Sequence, residues 1–531
     1  MMAPAHRRQN CRQLILPAAA AVLAAVFLVL PLAAMFWQMD GKSIRQVFEN
    51  DGLGTVLLRS VTASSLTTMI SLSLAFFLAW AMERTAMPLK KPIRILVELP
   101  MLIPSISIGM GVVLLLGNSG ILTRLLGLPL GNIYGLPGIV LGGVLYSLPV
   151  AFLMLDNILK FEDSAPYEAA RVLGFSGWQQ FRTITWPYLR KPLIAAAFSV
   201  FTLTFTDYGV PLMVGGKYRT LPVVMYQEVI GQLHFGKGCV YGSLLLIPAV
   251  AAFLIDLSNR SQTGGGFVTR RFDLRGNLRR DVPALGGSLM LALLSVLPIL
   301  SFVVLAFVRK YPSDMALTLQ NVARTMGAGG GRYLINSVVI ALLAALAGTV
   351  LAVLAAYYAA RTRSPLSRAV HLGCMSMGAI PGVVLGLSYV LFFRGTVLYG
   401  TLAILVAVNT VHFFASPYLM MYNAMGKLNE NLEAVASTMG IGRMRLLLDV
   451  MLPRCAQTAA EMFSYFFVNC MMTISAVSFL ANVRSKPIAL MITQFEAQAQ
   501  MEFAAVVSLA ILLINLAVKI VLEYLPGRNE K

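Results

Sequence analysis

The stretch Tyr167 to Pro192, YEAARVLGFSGWQQFRTITWPYLRKP, is polar and basic and lies between two apolar runs long enough to cross a bilayer. Its skeleton is Glu168-Ala169-Ala170, then Gly174, then Ile184 and Pro187. The skeleton recurs as Glu433-Ala434-Val435-Ala436, then Gly440, then Val450 and Pro453. Glycine to proline is 13 residues in both copies (187 − 174 and 453 − 440), and the glycines stand 266 apart (440 − 174), half of the 531-residue chain. Two copies of one loop, half a chain apart, predict a duplicated membrane protein that grips a partner twice.

Composition agrees. The chain is 58% hydrophobic and 12% charged, with a mean hydropathy of +0.75, whereas soluble domains carry about 25% charged residues. The apolar residues fall in continuous blocks of about 20, the length of a membrane-crossing helix, and do not alternate as barrel strands do. The net charge of +19 is spread over short loops between these blocks. That pattern reads as membrane topology, not nucleic-acid binding. Cys11, Cys239, Cys374, Cys455 and Cys470 lack metal or CxxC spacing, so neither a disulfide framework nor a metal centre is expected. The first block, Leu14 to Trp37, is too long and too bulky at its end for a cleaved signal, and reads as a retained anchor.

The pattern predicts an all-α polytopic protein of about twelve spans: 14–37, 60–82, 96–117, 138–159, 193–214 and 240–258, then 286–308, 337–360, 369–393, 400–423, 457–480 and 503–523. With both termini inside, 28 of the 42 lysines and arginines face the cytoplasm and 14 face out, the bias of the positive-inside rule. Both Glu-Ala loops then lie inside. The domains are a first repeat (1–258), a basic linker (259–287) with Gly264-Gly265-Gly266 and six arginines, and a second repeat (288–531). Pro104 and Gly109 in the third span are echoed by Pro381 and Gly386 in the ninth, and Ser147-Leu148-Pro149 by Ser416-Pro417. Six spans per half make this a parallel repeat, with the pathway between the halves.

In the first loop a short helix from Pro166 places Glu168 in its first turn, where the helix dipole favours a carboxylate. Gly174 ends that helix, residues Trp178 to Thr185 form a second, and Pro187 marks re-entry toward the bilayer. One such loop alone would read as an ordinary amphipathic connector; two with identical spacing read as docking elements. The pattern EAA, three residues, Gly, nine residues, Ile-x-apolar-Pro resembles the cytoplasmic signature of permease subunits of bacterial binding-protein-dependent ABC importers. The resemblance covers both halves. It implies that Glu168, Ala169, Ala170, Gly174, Ile184 and Pro187 form one coupling element for an ATPase subunit. Glu433, Ala434, Ala436, Gly440, Val450 and Pro453 would form the other. The second copy departs from the pattern: Ala434 stands six before Gly440, where the family has its acidic residue, and Glu433 is displaced by one. It is therefore expected to dock by packing of Ala434, Ala436 and Met439, with Glu433 turned away.

The resemblance further implies a location in the bacterial inner membrane, two copies of an ATPase that hold ATP and magnesium, an external solute-binding protein, and no cofactor or catalysis in this chain. Thr204 to Leu212 and Thr473 to Phe479 look most like the ferric-iron and 2-aminoethylphosphonate branch of tandem permeases. Asp207 lies inside a predicted span, where a carboxylate faces a cavity or a partner. With Thr206 and Tyr208 it lines the pathway opposite Thr473 and Ser475, or else it sits near the outer headgroups or pairs structurally with Lys217 or Arg219. Glu98 and Glu461, near inner ends of spans, read as structural. Gly231 to Lys237, GQLHFGK, spells most of a P-loop, but Gly238 replaces the magnesium-binding Ser or Thr and no strand precedes it. An ion-driven twelve-span transporter is the alternative; it needs no docking loops. No paired-Asp, Ser/His or HExxH set supports an intramembrane enzyme.

Overall fold

In a computed structural model, residues 25–49, 52–127, 133–260, 272–274, 276–362 and 364–524 are described, and they are helical almost throughout. Strand, among the described residues, is confined to one hairpin of Val308–Lys310 with Asp314–Leu317. The first repeat contains α1 (Ala25–Trp37), α2 (Leu53–Arg84), α3 (Lys90–Glu98), α4 (Ser105–Leu116) and α5 (Leu136–Lys160). It continues with α6 (Ala165–Val172), α7 (Trp186–Phe205), α8 (Gly209–Val214) and α9 (Phe235–Arg260). The second contains α10 (Leu278–Ala306), α11 (Gly331–Arg361), α12 (Pro365–Ser376), α13 (Gly382–Phe393), α14 (Leu402–His412) and α15 (Ala415–Gly426). It ends with α16 (Leu432–Thr438), α17 (Ala456–Met472) and α18 (Met501–Tyr524).

Each of the twelve expected stretches contains helix, but not all are simple rods. Among the described residues, seven helices are long and apolar enough to cross a membrane, and up to nine if two bent pairs each count as one span. The bends are 105° around Pro381 and 53° between α14 and α15. Breaks at Pro104 and Pro381 share a cause. A proline drives the residue before it out of the helical region, and Ile103 (φ −124, ψ 151) and Ile380 (φ −104, ψ 118) are both extended. The fifth span, expected as continuous over 193–214, is instead two helices, α7 and α8, separated at Thr206–Tyr208. Its counterpart α17 stops at Met472 and gives way to turns through Leu480.

The repeats are related down to single hydrogen bonds. Ser60 on α2 accepts from the backbone N–H of Leu221 at 2.7 Å, and Ser337 on α11 accepts from that of Ile488 at 2.7 Å. Each buried serine thus pins the segment after a broken fifth span to the second span of its own repeat. The first helices are exchanged: α1 packs on α13 of the second repeat, and α10 packs on α4 of the first. Across the same boundary Ser107 and Ser508 share a 2.8 Å hydrogen bond, Asn515 donates to the Leu102 carbonyl at 3.0 Å, and Lys519 pairs with Glu98 at 3.0 Å. Glu98 therefore joins the two halves.

The expected linker is shorter at its end than its composition suggested. Gly264 to Gly266 lie outside the described residues, but Leu278–Gly287 already belongs to α10, whose start is capped by the Asn277 side chain. Gly286 and Gly287, where the expected linker and the expected span overlap, are helical. Gly287 gives room to Phe77: a Cβ there would lie 2.6 Å from the ring.

Close approach at the exchanged helix yields a prediction. A Cβ on Gly111 of α4 would stand 2.5 Å from Pro298 Cβ of α10, whereas one on Gly373 of α12 meets nothing within 4 Å. Gly111→Leu is expected to destabilise the protein by about 1–3 kcal/mol, the usual cost of overpacking, and Gly373→Leu to leave it unchanged. Melting midpoints in detergent, compared for the two variants, decide this.

Candidate functional site

The two loops fold alike. α6 ends at Gly174 (φ 76) and α16 at Gly440 (φ 70), both left-handed, where only glycine is free of strain. Phe175 N–H donates to Ala170 O at 2.9 Å and Gly174 N–H to Arg171 O at 3.0 Å. Ile441 and Gly440 donate likewise to Ala436 (2.8 Å) and Ser437 (3.2 Å). These paired bonds are the Schellman closure of a helix C-terminus. Short helices follow at Gly177–Gln180 and Arg443–Leu446, then wide π turns at Phe181–Thr185 and Leu447–Met451 that contain Ile184 and Val450. The π turns have a reason. Pro187 and Pro453 lack an N–H and their rings clash with the carbonyl four residues back, and a widened turn relieves that clash. The chain runs helically through both prolines, so neither is a break.

Burial corrects part of the expected docking face. Ala169 and Ala434 are exposed, but Ala170 and Ala436 are buried. Consecutive helical residues diverge by about 100°, so the alanine pair cannot present one surface. The exposed apolar residues are Val172 (88%), Leu173 and Trp178 on the first loop, and Val435, Met439 (69%) and Met444 on the second. Glu168 is half-buried and accepts from the Ser164 hydroxyl at 3.3 Å within its own first turn.

Each of α6 and α16 is tied to the end of its repeat's second span by an arginine. Arg361, closing α11, donates Nε to Glu433 Oε1 and Nη2 to Oε2, both at 2.6 Å, and also reaches the carbonyls of Leu428 (3.0 Å) and Asn429 (2.7 Å). Glu433 is therefore not idle. It is half of a bidentate ion pair, the strong geometry for a guanidinium and a carboxylate. Arg84, closing α2, bonds the Leu159 carbonyl (3.1 Å) and the buried Glu162. Glu162 in turn accepts from the Tyr167 hydroxyl, which also meets Thr185 Oγ1 at 2.7 Å. Burial, helped by the neighbouring Glu162 carboxylate, raises the Tyr167 pKa above the ordinary phenol value. Tyr167 and Glu433 are equivalent positions, 266 residues apart, reached from the arginine in one step or in two. Phe272 of the linker lies edge-on to Tyr167 (5.2 Å) and 3.6 Å beneath the Arg84 guanidinium.

At the break in the fifth span Asp207 accepts from the Ser105 hydroxyl (2.6 Å) and from the N–H groups of Gly209 (3.3 Å) and Val210 (3.0 Å). It caps α8 in place of pairing with Lys217 or Arg219, and lines a cavity of about 20 Å³ with Ser64, Thr67 and Tyr146. Tyr208 is buried and stacks on Tyr226 (5.1 Å), which meets Phe479 of the second repeat at 5.9 Å. Thr473 is buried, and Ser475 faces Gly382 and His412. Asp207 and Ser475 thus face the third span of their own repeats, and the aromatic residues make the meeting of the halves. At the P-loop look-alike the departure has a packing cause: a Cβ on Gly238 would lie 2.2 Å from Val229.

Glu433→Ala removes the carboxylate from an Arg361 side chain that is only 5% exposed. A loss of about 3 kcal/mol is expected, the low end for breaking a buried pair because Glu433 is itself partly wet. Arg361→Ala and the double variant complete a cycle. Thermal stability that is additive across the cycle would show that the pair does not couple the two elements.

The family profile described as "Binding-protein-dependent transport system inner membrane component" matches residues 71–305 and 348–531. A putative ferric transport system permease protein of Haemophilus influenzae is 27% identical over 494 residues, covering 87% of this chain and 76% of that one. A thiamine transport system permease protein of Escherichia coli is 24% identical over 512 residues, 94% of each chain. A molybdenum transport system permease protein of Azotobacter vinelandii is 31% identical over 209 residues, 38% of this chain but 92% of its own. Single-copy and tandem relatives thus align to the same architecture, and this chain belongs to the inner membrane components of binding-protein-dependent transport systems, with the family's domain present twice.

Proposed function

We propose that this ABC permease carries a small solute into the cytoplasm, with two ATPase subunits seated under α6 and α16 and an external binding protein delivering the solute. The observation that carries this reading is the doubled loop. Two equivalent loops at span ends expose Val172, Leu173, Met439 and Met444, and solvent-exposed apolar patches of this kind mark interfaces. ATP and magnesium belong to the partner ATPases; this chain contributes the path and the levers. The excess of lysine and arginine on the loop side puts the docking helices, both termini and the linker in the cytoplasm. The solute passes between the halves, where the broken fifth spans and Tyr208, Tyr226 and Phe479 meet. Thr206, Asp207, Thr473 and Ser475 brace those breaks.

Ferric iron is the favoured substrate, because it is named for a relative that aligns along most of the chain. A thiamine permease also aligns along 94% of its length, and 2-aminoethylphosphonate rests on the resemblance of Thr204 to Leu212 and Thr473 to Phe479, with Gly215-Gly216-Lys217 and Pro222 to Tyr226 leaning toward it. Uptake of labelled ferric chelate, thiamine and 2-aminoethylphosphonate by a strain lacking the chromosomal copy separates the three.

Val172→Asp and Met439→Asp each place a charge in an apolar contact. Each is expected to lower solute-stimulated ATP hydrolysis of the reconstituted complex at least about tenfold, the effect of losing about 1.4 kcal/mol or more of docking. Full stimulation in both would overturn the docking assignment. Asp207→Asn retains an acceptor for Gly209 and Val210 but loses the charge. Uptake is expected to fall while the ATPase still co-purifies, and normal uptake would leave Asp207 with a capping role only.

A further inference from the structure

The first repeat carries an apolar groove. It runs between α2 and α7, has a volume of about 460 Å³, and is lined by Met69, Leu72, Phe76, Trp186, Leu193 and Ile194. One wall is α2, long and apolar enough to cross a membrane, the other is α7, the first part of the broken fifth span, and Met69 (63% exposed) and Ile194 lie exposed on the outer surface. At the docking-loop end the groove changes character. Trp186, Arg190 and Ile194 follow at intervals of four on α7, which puts them on one face of that helix, and Arg182 lies in the π turn just before it. Both arginines are exposed, and neither forms an ion pair with a described residue. An apolar slot lined by Trp186, with an exposed arginine four residues to either side of that tryptophan, is complementary to one kind of molecule.

We propose that this groove holds an acyl chain of an anionic phospholipid, with the phosphate-bearing headgroup on Arg182 and Arg190, in the leaflet on the docking-loop side. Guanidinium groups bind phosphate through paired N–H donors, long basic side chains reach the interface from within a span, and tryptophan sits at headgroup depth. The corresponding positions of the second repeat, 266 residues on, are Leu448 for Arg182, Leu452 for Trp186 and Ala456 for Arg190. The charge is absent there, so the site belongs to one half only. It also touches the docking surface. Phe181, in the groove wall, stacks on Trp178 at 5.6 Å and lies 6.5 Å from Trp186, and Trp178 is exposed on the first loop. An aromatic row therefore joins the lipid site to the face proposed for the ATPase.

The test uses the full chain in phosphatidylcholine nanodiscs doped with phosphatidylglycerol bearing a photoreactive acyl chain, with cross-links mapped by peptide mass spectrometry. Labelling of Phe181–Ala197 and Met69–Phe76 should exceed that by photoreactive phosphatidylcholine at least about fivefold, the gain expected from one basic residue near an anionic lipid. It should fall to the phosphatidylcholine level in R182A/R190A. L193W, which fills the slot and keeps the charge, should also lower it, and excess inorganic phosphate should not displace the lipid. Equal labelling by both lipids reduces the groove to ordinary lipid contact and overturns the proposal. So does labelling indifferent to R182A/R190A, displacement by free phosphate, or a co-purifying small membrane protein cross-linked in the slot. None of these outcomes depends on whether an ATPase binds the loops.

Discussion

Every backbone N–H and C=O inside hydrocarbon must find a partner within the protein, since no water is there to supply one. The broken spans of this permease exist only because side chains meet that demand. Asp207 takes the two N–H groups at the start of α8, Ser60 takes the N–H of Leu221, and Ser337 takes that of Ile488. Without these acceptors the chain would do better as continuous helix, and the halves would meet as smooth rods with no cleft between them. The breaks at Pro104, Pro381, Thr206–Tyr208 and after Met472 are therefore designed interruptions. They lie on the third and fifth spans, the elements that face each other and the opposite repeat.

The duplication was legible because glycine and proline are irreplaceable where they stand. Gly174 and Gly440 need positive φ, and Pro187 and Pro453 shape the π turns, so their spacing survived while the residues between drifted. The all-α class and the span positions followed from length and hydropathy. The break at the fifth span was not read from the apolar run, although two of its causes are local. Asp207 takes the N–H groups of Gly209 and Val210, and Pro211 stands four residues after Asp207, where its ring opposes a continuous helix; only the bond from Ser105 is tertiary. The arginine ties were not legible: Arg361 and Glu433 are 72 residues apart (433 − 361), and the equivalent tie in the first half runs through Glu162 and Tyr167. The role of Glu433 was misread for that reason. A motif alignment sees a carboxylate one place out of register, whereas the fold sees an occupied position, Tyr167 in one repeat and Glu433 in the other.

Fusion of two permease halves in one chain lets each half specialise. In the first, the docking helix is held by a relay through Tyr167, and the linker residue Phe272 packs on both members of that relay. The membrane side of the same loop carries Trp186, Arg182 and Arg190. In the second, one bidentate ion pair does the holding, and the membrane side is aliphatic. A homodimer of identical halves must present the same anchor twice.

These anchors bear on how a push at the loops reaches the pathway. A lever transmits displacement only if its attachment is stiffer than its load, and a lone surface ion pair, worth about 0–1 kcal/mol, is a poor attachment. Arg361 is held at five acceptor atoms, two carboxylate oxygens and three carbonyls, with its side chain nearly excluded from solvent. Because it ends α11, a helix that packs on α14, α15 and α17, any shift of α16 must carry the second span and then the broken fifth span with it. Arg84 does the same for α2, α5 and α7. Packed helices repack between discrete arrangements and do not stretch, so on the proposed reading the two arginines turn a movement of the docking helices into a rigid-body rotation of each half about the cross-repeat contacts Ser107–Ser508 and Glu98–Lys519.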